Sequence, residues 1–401
     1  MTPSPLQTPE RIEELDVLRG FALLGVFIVH FVGSAFYELP LDEDQSELWS
    51  GQWYHAAALF FSDLFFQNKA NTLFATLFGM GFWVMLERLS ARQADFTAIY
   101  LRRLAVLFVL GMLNWFLIFP GDVLHEYALI GFALFTMRRV SAKTMLLLGL
   151  TLALLGQALA AHLLDGLGLS FEGFDDIQVA AFEQGEYLTW VAMMASSMFQ
   201  RDFLFAGLLG WGLYIFGRFL LGAWVMREGW IQRLRDIPGT AKAAVWLLAV
   251  GLATELGSLL IFMEIIPGSE MLDATLHMVG APVTAVGYAL ALIALFQTER
   301  WRLVVFWFAP VGRMALTCYV AHGLVFTMIY MPFGLDLLGV LGPAPSLLIA
   351  LTLYVALTLA SHSWLRRFRY GPLEYLWRWA TYGSAPLFRV RRGSRKSRKR
   401  R

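Results

Sequence analysis

Apolar and polar positions along this chain fall into long blocks, and apolar stretches of about 17 to 25 residues recur from one end to the other. Ten can be marked, at 15–37, 70–87, 102–119, 122–138, 143–164, 202–226, 242–266, 275–297, 303–330 and 346–365. Each is the length a helix needs to cross a bilayer, the fourth being short and the ninth long. The pattern predicts an all-α, polytopic transmembrane helical bundle of about ten spans, with both termini cytoplasmic. It divides the chain into an N-terminal cytoplasmic segment (1–14), the bundle (15–365) and a basic cytoplasmic tail (366–401), in which a GPLE-containing segment precedes a disordered Arg/Lys run.

Two regions break the rhythm. Residues 52–68, QWYHAAALFFSDLFFQN, are apolar and aromatic but carry Asp63, Gln67 and Asn68, with Lys69 next. They read as an interfacial or re-entrant helix, or as part of a long tilted second span. The connection 165–199 mixes acids with aromatics, which fits an amphipathic helix on the outer surface and makes it a candidate lid.

Charge orients the pattern. Short loops rich in Lys and Arg stay in the cytoplasm. Arg88, Arg92, Arg102 and Arg103, then Arg138, Arg139 and Lys143, then Arg227, Arg233, Arg235 and Lys242, then Arg300 and Arg302 fall in alternate connections. The intervening segments 38–53, 165–199, 267–274 and 331–345 hold no Lys or Arg but include Asp42, Glu43, Asp44, Asp175, Asp176 and Asp273. Composition agrees, because 58% of the 401 residues are hydrophobic and only 15% charged, against roughly 25% charged in soluble domains. The single cysteine, Cys318, excludes an intramolecular disulfide and a cysteine-rich metal site. No removable signal peptide is read at the N-terminus, and the basic tail reads as an anchor for anionic lipid rather than a nucleic-acid site.

Ionisable groups inside spans are costly and are the candidates for function. Arg19 and His30 lie eleven residues apart in LDVLRGFALLGVFIVHF, three helical turns plus about 20°, and so share one face at depths about 16 Å apart. They could line one passage, with the guanidinium at the cytoplasmic end for a phosphate-bearing ligand and the imidazole deeper for proton transfer. The alternative is an Asp16/Arg19 pair reaching the interface and a His30 satisfied by a neighbouring helix. Asp122 and His125 follow the Pro120–Gly121 turn; Asp122 suits a helix N-cap, and it shares a face with His125, which permits an Asp-oriented general base. In the ninth span Arg313 follows a Pro310 kink, while His322 falls on the opposite face and pairs with Arg313 only if the helix breaks. Arg218, Glu255 and His277 lie singly. No HExxH, Walker A or GxSxG motif occurs, and no metal or bound cofactor is expected.

Taken in order, LDVLRGFALLGVFIVHF, TLFATLFGMGF, RRLAVLFVLGMLNWF, PGDVLHEYALIGF, VGRMALTCYVAHGL and RYGPLEYLWRWATYG resemble the YeiB-like bacterial membrane proteins that carry domain of unknown function 418. That family is similar to the transmembrane acyltransferase superfamily, which includes the acyltransferase type 3 proteins. The resemblance implies a bundle in the bacterial inner membrane that passes an acyl group from a cytoplasmic acyl-CoA donor to an extracytoplasmic sugar or lipid acceptor. Arg19 and His30 match the arginine and the histidine held to be catalytic in type 3 members. Many YeiB-like proteins have asparagine at the position of His30, histidine at Asn114 and asparagine at Cys318. On this reading His30, Asp122 and His125 are the catalytic candidates, and Arg19, Arg102, Arg103, Arg313 and His322 the substrate-binding ones. The residues alone leave open a transporter or channel for a small metabolite or lipid, and a non-catalytic envelope protein.

Overall fold

A computed structural model of the chain describes residues 11–34, 51–119, 121–167, 185–198, 209 and 211–390. The acidic positions Asp42, Glu43, Asp44, Asp175 and Asp176, and the basic run from 391 onward, lie outside the described residues. Among the described residues there is helix and no named strand. In chain order these are α1 (Glu13–Ile28), continued by a π-helix (Val29–Ser34), α2 (Trp53–Phe65), α3 (Lys69–Ala91), α4 (Phe96–Leu117), α5 (Leu124–Thr136), α6 (Ala142–Leu167) and α7 (Tyr187–Met198). There follow α8 (Gly212–Arg227), α9 (Trp230–Asp236), α10 (Thr240–Phe262), α11 (Glu270–Gln297), α12 (Glu299–Val305), α13 (Ala309–Arg313), α14 (Ala315–Tyr330), α15 (Pro343–Leu365) and α16 (Pro372–Tyr382).

Seven of the described helical segments are long and apolar enough to cross a membrane, and an eighth counts if Glu299–Arg313 and Ala315–Tyr330 are taken as one span bent by 78°. The protein is therefore a multi-pass membrane protein. Two of the ten expected stretches are not among these eight. The stretch 122–138 forms only the 13-residue α5 and the 3₁₀ turn Met137–Arg139, and 13 residues rise about 20 Å, short of a hydrocarbon core about 30 Å thick. The stretch 202–226 is described only in part. Residues 52–68 belong to a 39-residue element, Trp53–Ala91, which is broken where Asn68 takes a left-handed backbone (φ 58°) before α3 begins.

The basic connections gather at one end of the bundle. There Arg235 binds Glu14, Arg302 Nη2 lies 3.0 Å from Glu13, and Arg102 Nη1 donates to the Thr381 carbonyl at 3.1 Å. These contacts tie the start of α1 to α9 and α12, and α4 to α16.

Small residues let the backbones approach, as membrane bundles require. A Cβ on Gly20 would collide with the Phe308 carbonyl, and one on Gly312 with the Asp16 carbonyl, so α1 and α13 touch main chain to main chain. Gly79 and Gly222 do the same between α3 and α8, against the Phe219 and Thr76 carbonyls.

Candidate functional site

The sequence places Pro310 and Gly312 where a span should continue, and the structure breaks it there. Met314 leaves helical geometry (φ −115°, ψ 34°) between α13 and α14. A helix restarting inside a bundle exposes N–H groups that need acceptors. Glu374, 58 residues away in the GPLE segment, supplies them: its Oε1 accepts from the Leu316 N–H at 2.7 Å and the Thr317 N–H at 3.0 Å, and its Oε2 from the Thr317 hydroxyl at 2.6 Å. That hydroxyl in turn accepts from the Leu373 N–H at 3.1 Å. Burial pushes the Glu374 carboxyl above the usual carboxylate range, while these donors pull it back down. The carboxylate thus fastens α16 to the break, and Gly371 must lack a side chain because a Cβ there would meet both Glu374 and Thr317.

The break and α16 wall a cavity of about 480 Å³ at the basic end of the bundle. Its lining includes Arg11, Arg19, Arg88, Arg103, Arg313, Arg369 and Arg378, against the carboxylates Asp16 and Glu374. Asp16, buried, is held by Arg11 and lies 3.5 Å from Arg19 Nη1. The Arg103 guanidinium stacks 3.6 Å over the Trp377 ring, whose Nε1 donates to the Arg103 carbonyl at 2.9 Å. Arginines with aromatic faces beside them suit a phosphate-bearing ligand with a flat base.

Arg19, Arg103 and Arg313 are therefore brought together in one lining. Arg102 is not: it is exposed and directed to the C-terminal end of α16. Its neighbour Arg103, about 100° round the helix, takes the inward position.

The deep end of the cavity is closed by Tyr319, Leu107 and Leu124, and His30 lies beyond it. The expectation that Arg19 and His30 line one open passage is corrected here, because the cavity lining reaches Tyr319 and stops one ring short of His30. His30 sits in the π-helix that continues α1, a distortion that recurs at functional sites. It packs on Phe119, Tyr319 and His322, with ring centroids 5.0, 6.4 and 5.0 Å away. His322, completely buried, stacks on Phe27 at 4.6 Å.

His30 Nδ1 and His322 Nε2 are 2.8 Å apart, and His322 Nδ1 bonds the Tyr319 carbonyl. A carbonyl only accepts, so His322 Nδ1 carries a proton; with a neutral ring its Nε2 then accepts, and His30 Nδ1 donates. This ordering leaves the lone pair of His30 on Nε2, the arrangement of a base oriented by a second group. His322, read from the sequence as substrate-binding, is thus the partner of His30 and does not line the cavity. It also stays apart from Arg313, on the far side of the break.

Asp122 and His125 keep the shared face expected of them, 3.4 Å apart. Asp122 Oδ1 accepts from Asn114 Nδ2 at 2.8 Å and its Oδ2 from the Leu124 N–H at 3.0 Å, while His125 lies against Trp115 at 5.6 Å. Both are buried, and neither is in the cavity lining. Their bonds hold the α4–α5 turn, where Gly111 lets the backbone of His125 close onto α4. Over this turn sits α7, with the Tyr187 hydroxyl donating to the Leu117 carbonyl at 2.8 Å and Trp190 buried beside Phe333.

Residues 225–384, which hold the broken helix and Glu374, match the family model described as "Protein of unknown function (DUF418)". The chain is 32% identical over 404 residues to the uncharacterized protein YxaH of Bacillus subtilis, covering 94% of this chain and 96% of that protein. It is 30% identical over 398 residues to the uncharacterized protein YeiB of Escherichia coli, covering 94% and 97%. The chain belongs to the DUF418 family. A third relative, the 39.9 kDa protein in the amylase 3′ region of Bacillus acidopullulyticus, is 28% identical over 385 residues. The likeness to these relatives spans nearly the whole chain.

Sequence reasoning missed the other half of the cavity. Arg11 falls in the N-terminal segment, Arg88 in a basic connection, and Arg369, Trp377 and Arg378 in the tail, so none of them stands out as a site residue. The signal was present in RYGPLEYLWRWATYG, where Glu374, Trp377 and Arg378 recur three to four residues apart on one face of an amphipathic helix.

Proposed function

We propose that this protein is a membrane acyltransferase that draws on an acyl-CoA-type thioester at its cytoplasmic end and delivers the acyl group to an extracytoplasmic sugar or lipid hydroxyl. The observation that carries this reading is the stacking in depth of two sites suited to the two reactants. A polyanion-binding cavity lined by seven arginines ends, one tyrosine ring away, at a histidine whose free lone pair is set by a second histidine. In this scheme Arg19, Arg103 and Arg313 hold donor phosphates, and the Tyr319 ring turns aside to let the acyl arm reach His30. His30 Nε2 takes the proton from the acceptor hydroxyl as the hydroxyl oxygen attacks the thioester carbon; the C–S bond then breaks, the imidazolium returns the proton to the thiolate sulfur, and the thiol leaves toward the cytoplasm. His322 positions His30.

The test is turnover of full-length protein in nanodiscs, read as free thiol released from acetyl-CoA in the presence of candidate sugar and lipid acceptors. Acceptor-dependent release, reduced about 10²-fold or more by His30→Ala, supports the reading. Counterflow of a small metabolite in proteoliposomes, with no thiol released, assigns the molecule to transport instead. A specific feature favours that second reading: the polar chain Asn68, His277, Glu255 and Lys69, in which Glu255 and Lys69 are buried, has His277 Nδ1 3.1 Å from Glu255 and Lys69 paired to it, and so joins α3 to α10 and α11.

A further inference from the structure

Arg218, in α8, is 1% exposed. Lys69, likewise fully buried, has Glu255, but Arg218 Nη1 and Nη2 have no hydrogen-bond partner among the described residues. Its orientation is nevertheless fixed. Nε donates to the Thr72 hydroxyl at 2.8 Å, and the guanidinium carbon lies over the Tyr214 ring, 3.0 Å from its centre. The two remaining nitrogens therefore form a single open edge.

Asn71, beside Thr72 on α3, repeats the imbalance. Its Oδ1 accepts from the Tyr127 hydroxyl at 3.2 Å, while its buried Nδ2 has no partner. Arg218, bonded to Thr72, and Asn71, the residue before Thr72 on α3, thus leave three buried nitrogen donors that cannot satisfy one another. Their common need is an acceptor carrying negative charge.

We infer that Arg218 and Asn71 form a binding point for a single carboxylate group of a small organic ligand in the core of the bundle. A planar carboxylate matches the Nη1/Nη2 edge with two parallel bonds, and one negative charge balances the one guanidinium. A phosphate dianion would be left under-neutralised, since the basic cluster of the cavity is separate. Access is one ring thick: Phe78 and Tyr127 line the arginine cavity on one side and pack on Phe219, the neighbour of Arg218, at 4.5 and 5.1 Å on the other. Rotation of these two rings would admit a ligand from the cavity. The site stands apart from His30, so it holds whether or not the transfer chemistry proposed above is correct.

Full-length protein in nanodiscs is titrated with sodium acetate and sodium butyrate, with sodium chloride at matched ionic strength. Binding is read by saturation-transfer NMR of the probe and by the unfolding temperature from tryptophan fluorescence. The expected result is a saturable response to a carboxylate that chloride does not reproduce. Arg218→Gln should abolish it and Asn71→Ala weaken it about tenfold. Absence of saturable carboxylate binding to the native protein would mean that water alone satisfies Arg218, and it overturns the inference. An equal response to chloride overturns the carboxylate assignment. If Arg218→Gln does not fold, the native titration and Asn71→Ala decide, an unchanged affinity in the latter counting against the site.

Discussion

At the scale of single residues, the sequence shows which side chains are costly to place in a membrane but not what they meet. His30 and His322 are separated by 292 positions, yet their ring nitrogens are 2.8 Å apart, and the direction of the hydrogen bond follows from one backbone carbonyl. Replacing His322 with Ala should lower kcat of the proposed transfer with little change in KM, because the group removed orients the base and does not touch the donor. A steady-state comparison with His30→Ala checks this; equal KM increases in both variants would argue for a ligand-holding role. Tyr319→Phe removes the hydroxyl that accepts from the Val123 N–H at 3.4 Å but keeps the ring between cavity and histidines. Loss of that long bond should cost no more than about 1 kcal/mol of stability, measured by thermal unfolding in detergent.

At the scale of elements, the decisive feature is the break between α13 and α14. Two conditions hold it: main-chain contact of α13 with α1 through Gly20 and Gly312, and capping of α14 by Glu374. Gly312→Ala sets a methyl group against the Asp16 carbonyl, where the obstacle is backbone and cannot swing aside. It should destabilise the fold by several kcal/mol, in the range of overpacked cores or beyond, and lower the yield of folded protein on size-exclusion chromatography. Glu374→Ala leaves the Leu316 and Thr317 N–H groups without their acceptor and should cost about 1 to 3 kcal/mol. Glu374→Gln keeps one acceptor oxygen and should recover part of it, so the order of melting temperatures, native above Gln above Ala, is the check. Part of this element was readable: Pro310 announced a kink. The cap was not, because a helix start normally takes its acceptor from the adjacent residues, and this one takes it from beyond the following span.

At the scale of the whole molecule, the alternation of basic and acidic connections predicts which surfaces face which compartment. Cys318 is buried, so a Cys318→Ser background gives a silent starting point. In intact cells whose outer barrier is permeable, a membrane-impermeant maleimide should label Ser269→Cys, in an acidic connection, and leave Ser141→Cys, in a basic one, unlabelled until lysis. Labelling of both, or the reverse order, would invert the orientation. The cavity belongs to this scale too, since its arginines come from α1 and the residues just before it, α3, α4, α13 and the chain around α16, and no single segment contains it.

The order of apolar blocks, the clustering of charge in alternate connections and the cost of each buried ionisable group are local properties, and the sequence by itself determined them: an all-helical membrane bundle, and the candidates Arg19, His30, Arg103 and Arg313. Tertiary structure alone decided that Arg102 turns to α16 while Arg103 turns inward, that Tyr319 parts Arg19's cavity from His30, and that His322 serves His30 rather than Arg313. The physical reason is that helical periodicity fixes a side chain's angle about its own axis, whereas its partner depends on how helices far apart in the chain are packed together. In this bundle that packing is set by bare glycines and by one distant carboxylate.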